Sequence, residues 1–349
     1  MNNIEDENIF LMRGDMRVCV LADEVFGNYT PEGYLFNHDW KMYNVKRPAL
    51  DFIRDIAMRE EYDVYLNLCD GSADEDRPGI DVVQALELLN LPFTGADSVF
   101  YAPTREQTQM MAQRKNIGFP RGMEAKLGDD VEKMVTAAGM KFPMIVKHHE
   151  SYASVGMTKE SRVENMKQLR SRFDLMCGQY GSARIEEFIA GREFTVLIVD
   201  NPDNLDDPYI YQPLEIIFPE GETFKHWAMK FDPNVDMDLQ YVTDPALLKK
   251  LKSLVKKIYL ALGGVGYGRA DIRMNDQGEL FLLEINSNPS VLNMPEEKAS
   301  ADYMMEDDPD GVEGFLQRIF LSSIARREKR VLPPQIIRRR KLEPAVVRK

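Results

Sequence analysis

The chain is short of the residues that build disulfide frameworks and zinc clusters. Three cysteines, Cys19, Cys69 and Cys177, lie far apart in apolar-flanked segments. That excludes a disulfide scaffold or a cysteine-based metal site and predicts reduced thiols in a core. The 4 histidines are too few and too scattered for zinc. No stretch approaches the roughly 18 uninterrupted apolar residues that a membrane span needs. The start, Met1 to Asp15, is acidic and polar and lacks the basic-then-apolar order of a signal peptide. Internal repeats and low-complexity tracts are missing as well. These absences predict a cytoplasmic protein with no membrane partner.

A hydrophobic fraction of 44% and a charged fraction of 29% belong to a folded chain. At 349 residues it is too long for one ordinary core and fits two or three packed domains. The net charge of -13 is unevenly spread: the segment from Ala325 to Lys349 carries +8, which leaves -21 on the preceding 324 residues. So acidic a body repels nucleic acid, and any polyanion contact falls to the basic tail.

Apolar patterning divides the rest. Met16 to Ala22 and Tyr62 to Leu68 read as short buried strands, with helical spacing at Leu50, Ile53 and Ile56 and again from Asp81 to Leu89. Strand and helix in alternation predict an α/β domain with a parallel sheet over residues 1–103. A helix from Arg105 to Lys115 follows Thr104, a suitable N-cap. It opens a central α+β domain over 104–198, with strands at Pro143 to Lys147, Ala183 to Ile189 and Glu193 to Val199. A third domain, 199–330, holds a helix from Pro245 to Leu262 with Leu248, Leu251, Val255, Ile258 and Leu262 on one stripe. It also holds a hairpin from Arg269 to Asn286 and a closing helix from Gly311 to Arg327. Residues 331–349 form the tail.

The hairpin is the most informative segment. With its turn at Asn275-Asp276-Gln277-Gly278, a pairing of Asn275 with Gly278 sets Asp271 opposite Leu282 and Arg269 opposite Glu284. Alternation then puts Arg269, Asp271, Leu282, Glu284 and Asn286 on one face. Two carboxylates and an amide oxygen suit Mg²⁺ held together with phosphates. A structural salt bridge from Arg269 to both acids explains the residues equally well. The strand-end Lys147 and the loop Ser151 to Gly156 have the chemistry to bind phosphate, through the ammonium and the backbone N–H groups of Ser154, Val155 and Gly156. The stretch Arg184 to Glu193 offers backbone groups to an adenine and Glu193 to a ribose, and it also reads as an ordinary strand-turn-strand.

Taken together, IVK…SVGM at 145–157, IEEFIAGREFTV at 185–196 and GYGRADIRM…GELFLLEINSNP at 266–289 resemble the ATP-grasp superfamily, and within it the D-alanine–D-alanine ligase group. The resemblance spans about residues 16 to 325. It implies a three-domain ATP-grasp architecture of α/β and α+β units, with ATP held between the central and C-terminal domains. It implies an ADP-forming ligase acting on small carboxylate and amine substrates through an acyl phosphate. Lys147 and Lys230 would hold the phosphates, with the Ser154-Val155-Gly156 loop closing over them. Glu186 and the backbone of Glu187, Phe188 and Ile189 would meet adenine, and Glu193 the ribose. Asp271, Glu284 and Asn286 would hold two Mg²⁺, or Mn²⁺ in their stead, while Lys230 and Arg269 serve the chemistry. A homodimer is compatible with this reading.

The sequence departs from the group's pattern where the amino acid substrates bind. Gln107 stands where a phosphate-binding lysine is usual, which weakens the phosphate site or hands that role to Arg105 or Arg114. Ser151 and Ala153 replace an acid and a serine, and Phe231 replaces a tyrosine. Ala22-Asp23-Glu24-Val25 takes the place of a His-Gly-Gly entry loop, and Ser290 to Pro295 lacks the serine that holds a terminal carboxylate. These changes predict a substrate other than D-alanine. A non-amine acceptor, or a nucleotide-binding scaffold without turnover, remains as the alternative.

Overall fold

The computed structural model describes residues 16–24, 31–71, 76–149, 155–231 and 237–331. Val25, Ser151, Ala153, Ser154 and the basic tail beyond Val331 lie outside them, as do the side chains of Lys230 and Phe231.

Three sheets organise the chain. The first is parallel, in the order β2-β1-β3, from Arg17–Ala22 (β1), Asp39–Asn44 (β2) and Val64–Asn67 (β3). Its helices are Pro31–Tyr34 (α1), Ala49–Arg59 (α2) and Ile80–Leu88 (α3). β1 is covered on both faces, which is why it reads as an unbroken apolar run. Cys19 and Leu21 pack with Ile53, Ile56, Val82 and Leu86. Val18 and Val20 pack with Phe315, Leu316 and Phe320 from the far end of the chain.

After Arg105–Arg114 (α4) comes an antiparallel sheet in the order β4-β7-β5-β6. Its strands are Gly122–Lys126 (β4), Met144–Lys147 (β5), Arg162–Val163 (β6) and Ser182–Glu187 (β7). Val131–Ala137 (α5) and Met166–Tyr180 (α6) cover one face. The third sheet, also antiparallel, runs β11-β10-β8-β12-β13, with β9 paired to β8. It comprises Arg192–Val199 (β8), Tyr209–Ile210 (β9), Leu214–Ile217 (β10), Asp238–Tyr241 (β11), Tyr267–Met274 (β12) and Leu280–Asn286 (β13). Trp227–Phe231 (α7), Pro245–Ala261 (α8), Ser300–Glu306 (α9) and Gly311–Val331 (α10) complete the described elements. α8 starts where Asp244 accepts the N–H groups of Ala246 and Leu247 at 2.7 and 2.9 Å, just ahead of Pro245. Leu251, Val255 and Ile258 are buried as the stripe predicts, joined by Leu247, while Leu248 and Leu262 sit at the stripe's edge.

The domain boundaries expected at 103/104 and 198/199 both move inward. β8 is the central strand of the third sheet, pairing with β10 and β12, so the divide falls at Ala190-Gly191. There Gly191 has φ 122, and a Cβ would come within 2.1 Å of the Met274 carbonyl oxygen. Ala112 of α4, with Ile117, packs into the core of the third sheet and α8. The middle unit is therefore the β4–β7 sheet with α5 and α6.

Candidate active site

Side-chain alternation along the strands aims the chemistry into one cleft between the second and third sheets. On β5, Met144 and Val146 enter the core with α5 and α6, while Ile145 and Lys147 line the cleft. On β7, Ala183 and Ile185 face that same core and Glu186 faces the cleft. One face of the third sheet changes character along its length. Val199, Leu197 and Tyr267 belong to the core shared with the first sheet. Further along, Glu193, Asp271 and Arg273 line the cleft. The cleft holds about 710 Å³ of free space, part of it continuous with open solvent.

Of the residues expected from the sequence, Lys147, Glu186, Glu187, Phe188, Ile189, Glu193, Asp271 and Glu284 line this cleft together. The hairpin register differs from expectation. Asp271 pairs with Glu284 and Arg269 with Asn286, not Leu282 and Glu284. Two local features cause the shift. The turn is one residue wider, with the Asn275 N–H donating to the Glu279 carbonyl at 3.0 Å. A β-bulge then interrupts the ladder between Asp271 and Ile272, because Ile272 pairs with Leu282 and Asp271 with Glu284. Leu283 is the extra residue. Leu282, expected beside the acids, is instead buried with Ile272, and Leu280 packs against the same core. Leu283 and Glu284 both line the cleft.

Arg269, Asp271, Glu284 and Asn286 do share a face. The Arg269 Nε lies 3.5 Å from Asp271 Oδ1, and Asn286 Nδ2 donates to Glu284 Oε1 at 3.5 Å. Val155 and Gly156 form a turn whose Gly156 carbonyl accepts from Arg172 of α6. Ser154 is outside the described residues, and of Lys230 only the backbone, in α7, is described.

Glu186, expected at adenine, sits at the centre of a cation cluster. Its Oε2 is 2.5 Å from Lys147 Nζ, and its Oε1 is 2.5 Å from Arg184 Nε and 3.8 Å from Arg105 Nε. Burial alone would raise its carboxyl, but Arg105, Lys147 and Arg184 hold it well below the usual carboxylate range. The linker backbone is partly engaged. The N–H groups of Glu187 and Phe188 donate to the carbonyls of Arg121 and Pro143 at 2.8 and 2.9 Å. The Ile189 carbonyl accepts from Arg273 at 2.7 Å.

Two cations in the cleft, Arg273 and Lys225, were not assigned by the motifs, and a third, Arg105, was one of two alternatives for the role that Gln107 leaves open. Gln107 is taken up in a capping box with Thr104, at 2.9 and 3.2 Å, and it is Arg105 that enters the cleft. Arg105 donates to the Leu283 carbonyl at 2.5 Å and lies 4.0 Å from Glu284. Arg273 shares its strand parity with Arg269 and Asp271, and that parity was the signal for it. Its Nε donates to Glu193 Oε2 at 3.1 Å, and its guanidinium lies 4.7 Å from the Phe188 ring centroid, which Arg162 approaches at 4.6 Å. Lys225, from the segment before α7, lies 3.3 Å from Glu193 and 3.5 Å from Asp271. Burial would lower its ammonium, yet Asp271 and Glu193 keep it above the ordinary lysine range. No periodicity marks Lys225, because the segment before α7 has no regular structure.

A parallel-sheet domain followed by two antiparallel units clasping a charged cleft is the ATP-grasp fold. A D-alanine–D-alanine ligase from Bacillus anthracis superposes with a TM-score of 0.63 at 18% identity, covering 90% of this chain and 99% of that one. A VanG D-Ala:D-Ser ligase from Enterococcus faecalis gives 0.65 at 15% identity over 88% and 99%. In sequence, a D-alanine–D-alanine ligase from Mannheimia succiniciproducens is 29% identical over 248 residues, 69% of this chain and 76% of that protein. One from Haemophilus influenzae is 28% identical over 213 residues, 59% and 67%. The family described as D-ala D-ala ligase C-terminus matches residues 111–296. The chain belongs to that family, whose ADP-forming ligases join carbon to nitrogen with ATP and Mg²⁺. Among the described residues no helix is long and apolar enough to cross a membrane.

This setting gives the cleft a pH dependence. Burial, then the Arg105 guanidinium, bring the Lys147 ammonium down to about 8 despite Glu186. If the Lys147 ammonium holds ATP phosphate, affinity is expected to be level below that pH and to fall about tenfold per unit above it. Lys147→Arg, charged throughout, is expected to flatten the profile. Calorimetric titrations from pH 6.5 to 9.5 check this, and a wild-type affinity that stays flat through pH 9 would contradict it.

Proposed function

We propose that the protein joins a small carboxylate to an amine through an acyl phosphate, releasing ADP, and that the carboxylate is not D-alanine. The observation that carries the reading is the cross-strand pair Asp271–Glu284, flanked by Arg269 and Asn286 on one face of the cleft. Like charges directly opposite on a ladder repel; Lys225 and Arg269, each 3.5 Å from Asp271, and Arg105, 4.0 Å from Glu284, offset that repulsion only in part. Its donors, with the Asn286 amide, are all oxygen, as a hard divalent ion requires. Among the described residues no three His, Cys, Asp or Glu side chains form a metal cluster. Two Mg²⁺, with Glu284 shared between them, would neutralise the charge on the transferring phosphoryl group.

The chain's own residues do the rest by position and charge. Lys147, braced by Glu186, presents an ammonium to the phosphates, and Lys230 is its proposed companion. Glu193, oriented by Arg273, accepts the ribose hydroxyls, and the Glu187-to-Ile189 linker borders the base. Arg269 faces the charge that develops on the acyl phosphate. A scaffold without turnover draws its support from Gln107, and Arg105 in the cleft removes that support.

For the substrate, the C-terminal ends of β1 and β3 matter, because a doubly wound sheet takes its ligand at that switch point. They carry Asp23 and Asp70, each 2.7 Å from the same Arg77 guanidinium, where relatives carry the His-Gly-Gly loop. The Ser290 hydroxyl, in the stretch that would meet a terminal carboxylate, donates instead to Asn293 at 2.8 Å. Each lost partner for D-alanine costs about 1–3 kcal/mol. The proposed setting is the cytoplasm, where the buried free thiols of Cys19, Cys69 and Cys177 stay reduced.

The test is turnover with ¹⁸O-labelled carboxylates drawn from amino acids and small acids. The expected products are ADP, phosphate carrying the label, and an amide. Release of AMP and pyrophosphate would sink the acyl-phosphate route, and efficient D-alanyl-D-alanine synthesis would sink the substrate assignment.

A further inference from the structure

Lys225 stands between two acids with different proposed tasks. Its Nζ is 3.3 Å from Glu193 Oε1, the ribose acceptor, and 3.5 Å from Asp271 Oδ2, a metal ligand. The three side chains line one cleft, and only 16% of the Lys225 side chain is exposed. Both acids change partners when nucleotide and metal bind. Glu193 turns to ribose hydroxyls and Asp271 to the divalent ion. A largely buried ammonium deprived of its carboxylates is costly unless another anion arrives. That anion comes with the nucleotide, because the phosphate chain has to run from the ribose end of the cleft, at Glu193, to the metal end, at Asp271. Lys225 touches the acid at each end.

The other cations are committed elsewhere. Arg105 is tied to the Leu283 carbonyl and to the Glu284 side of the cleft. Arg273 spends its guanidinium on Glu193 and on the carbonyls of Ile189 and Thr223. Lys147 rests on Glu186. Lys225 touches both Glu193 and Asp271, which places it for the stretch of phosphate chain nearest the ribose, alongside Lys147 and Lys230. Resting on the nucleotide site proposed above, we infer that Lys225 is a phosphate ligand of that site. Its ammonium rests on Glu193 and Asp271, and it would pass to the phosphates as those acids take up ribose and metal.

The inference separates phosphate binding from binding of the nucleoside. Calorimetric titrations of the full chain with ATP, ADP and adenosine, with and without Mg²⁺, are compared for wild type, Lys225→Met and Lys225→Arg. The expected result for Lys225→Met is a loss of about tenfold or more in ATP and ADP affinity. Adenosine affinity is expected to hold within about twofold, and Lys225→Arg to recover most of the loss. Equal weakening of ATP and adenosine would overturn the inference, since Lys225 would then only brace Glu193 and Asp271. ATP affinity that is unchanged or tighter in Lys225→Met would overturn it too. Lys225→Gln, which keeps a donor for both acids, answers the same question should the Met variant fail to fold. Wild type that binds no ATP would refute the proposed function itself, whereas wild type that binds ATP no better than Lys225→Met refutes only the role of Lys225.

Discussion

Glu284→Gln is expected to abolish ATP-dependent turnover while leaving the protein folded and no less stable. The two halves of that outcome have one cause. Glu284 faces Asp271 directly across the β12–β13 ladder, and opposed like charges destabilise a sheet pair by a few tenths of a kcal/mol to about 1 kcal/mol. An amide of the same shape removes the repulsion, and nothing in the core is disturbed. Chemistry would lose far more, since Glu284 is proposed as a ligand of the metal that neutralises the transferring phosphoryl group. Removing one electrostatic contact to a developing charge typically costs about 10²–10³ in kcat, and the loss of a metal ligand is expected to reach at least that. ADP release and a melting curve on the same preparation check the pair of effects. Near wild-type turnover with Mg²⁺ would show that the acids hold no metal. A collapse in stability would show that they are a structural salt bridge, with Arg269 its centre.

The hairpin also marks where sequence reading stopped. Alternation along β12 correctly grouped Arg269 and Asp271, and along β13 Glu284 and Asn286, because each pair lies on one side of the bulge. Leu282 was misassigned because a bulge has no period: an extra residue at 283 inverts facing for everything on its turn side. Strong helices were legible where a cap and a stripe agree, as at Thr104 for α4 and at Asp244 for α8. β2 gave no signal, since at the sheet edge Asp39-Trp40-Lys41-Met42-Tyr43-Asn44 leaves none of its residues fully buried. β8 was found as a strand and assigned to the wrong sheet, because pairing partners are set by tertiary topology and not by local pattern. In the site, the hairpin residues were found by alternation, and Glu186 and Lys230 by the resemblance to the ATP-grasp ligases. Arg105, Lys225 and the Glu186 cluster depend on contacts between distant segments, such as Arg105 with Leu283, which no local window contains.

Glu186→Gln is expected to be the most destabilising single change in the cleft, by about 3–5 kcal/mol, because it breaks a buried ion pair from one side. Glu186 and Lys147 are both almost fully buried and 2.5 Å apart. Arg184 keeps Glu106 at 2.8 Å and Gln109 at 3.2 Å when the acid is neutralised. Among the described residues Lys147 keeps only the weaker attraction of Glu284, against the repulsion of Arg105. The pH dependence identifies the source. Glu186 has a folded-state pKa depressed below its ordinary 4.5, so its contribution is complete above that pH and is lost as pH falls toward the folded value. The stability gap between wild type and Glu186→Gln should therefore be constant from neutral pH down to about 5 and shrink below 4.5. The double variant Glu186→Gln/Lys147→Met should recover part of the loss, since it removes the stranded ammonium along with its partner. Denaturant unfolding at pH 7 and pH 3.5 supplies the numbers. A gap that stays the same at both, with no recovery in the double variant, would mean that the shape of Glu186 and not its charge holds the second sheet against the third.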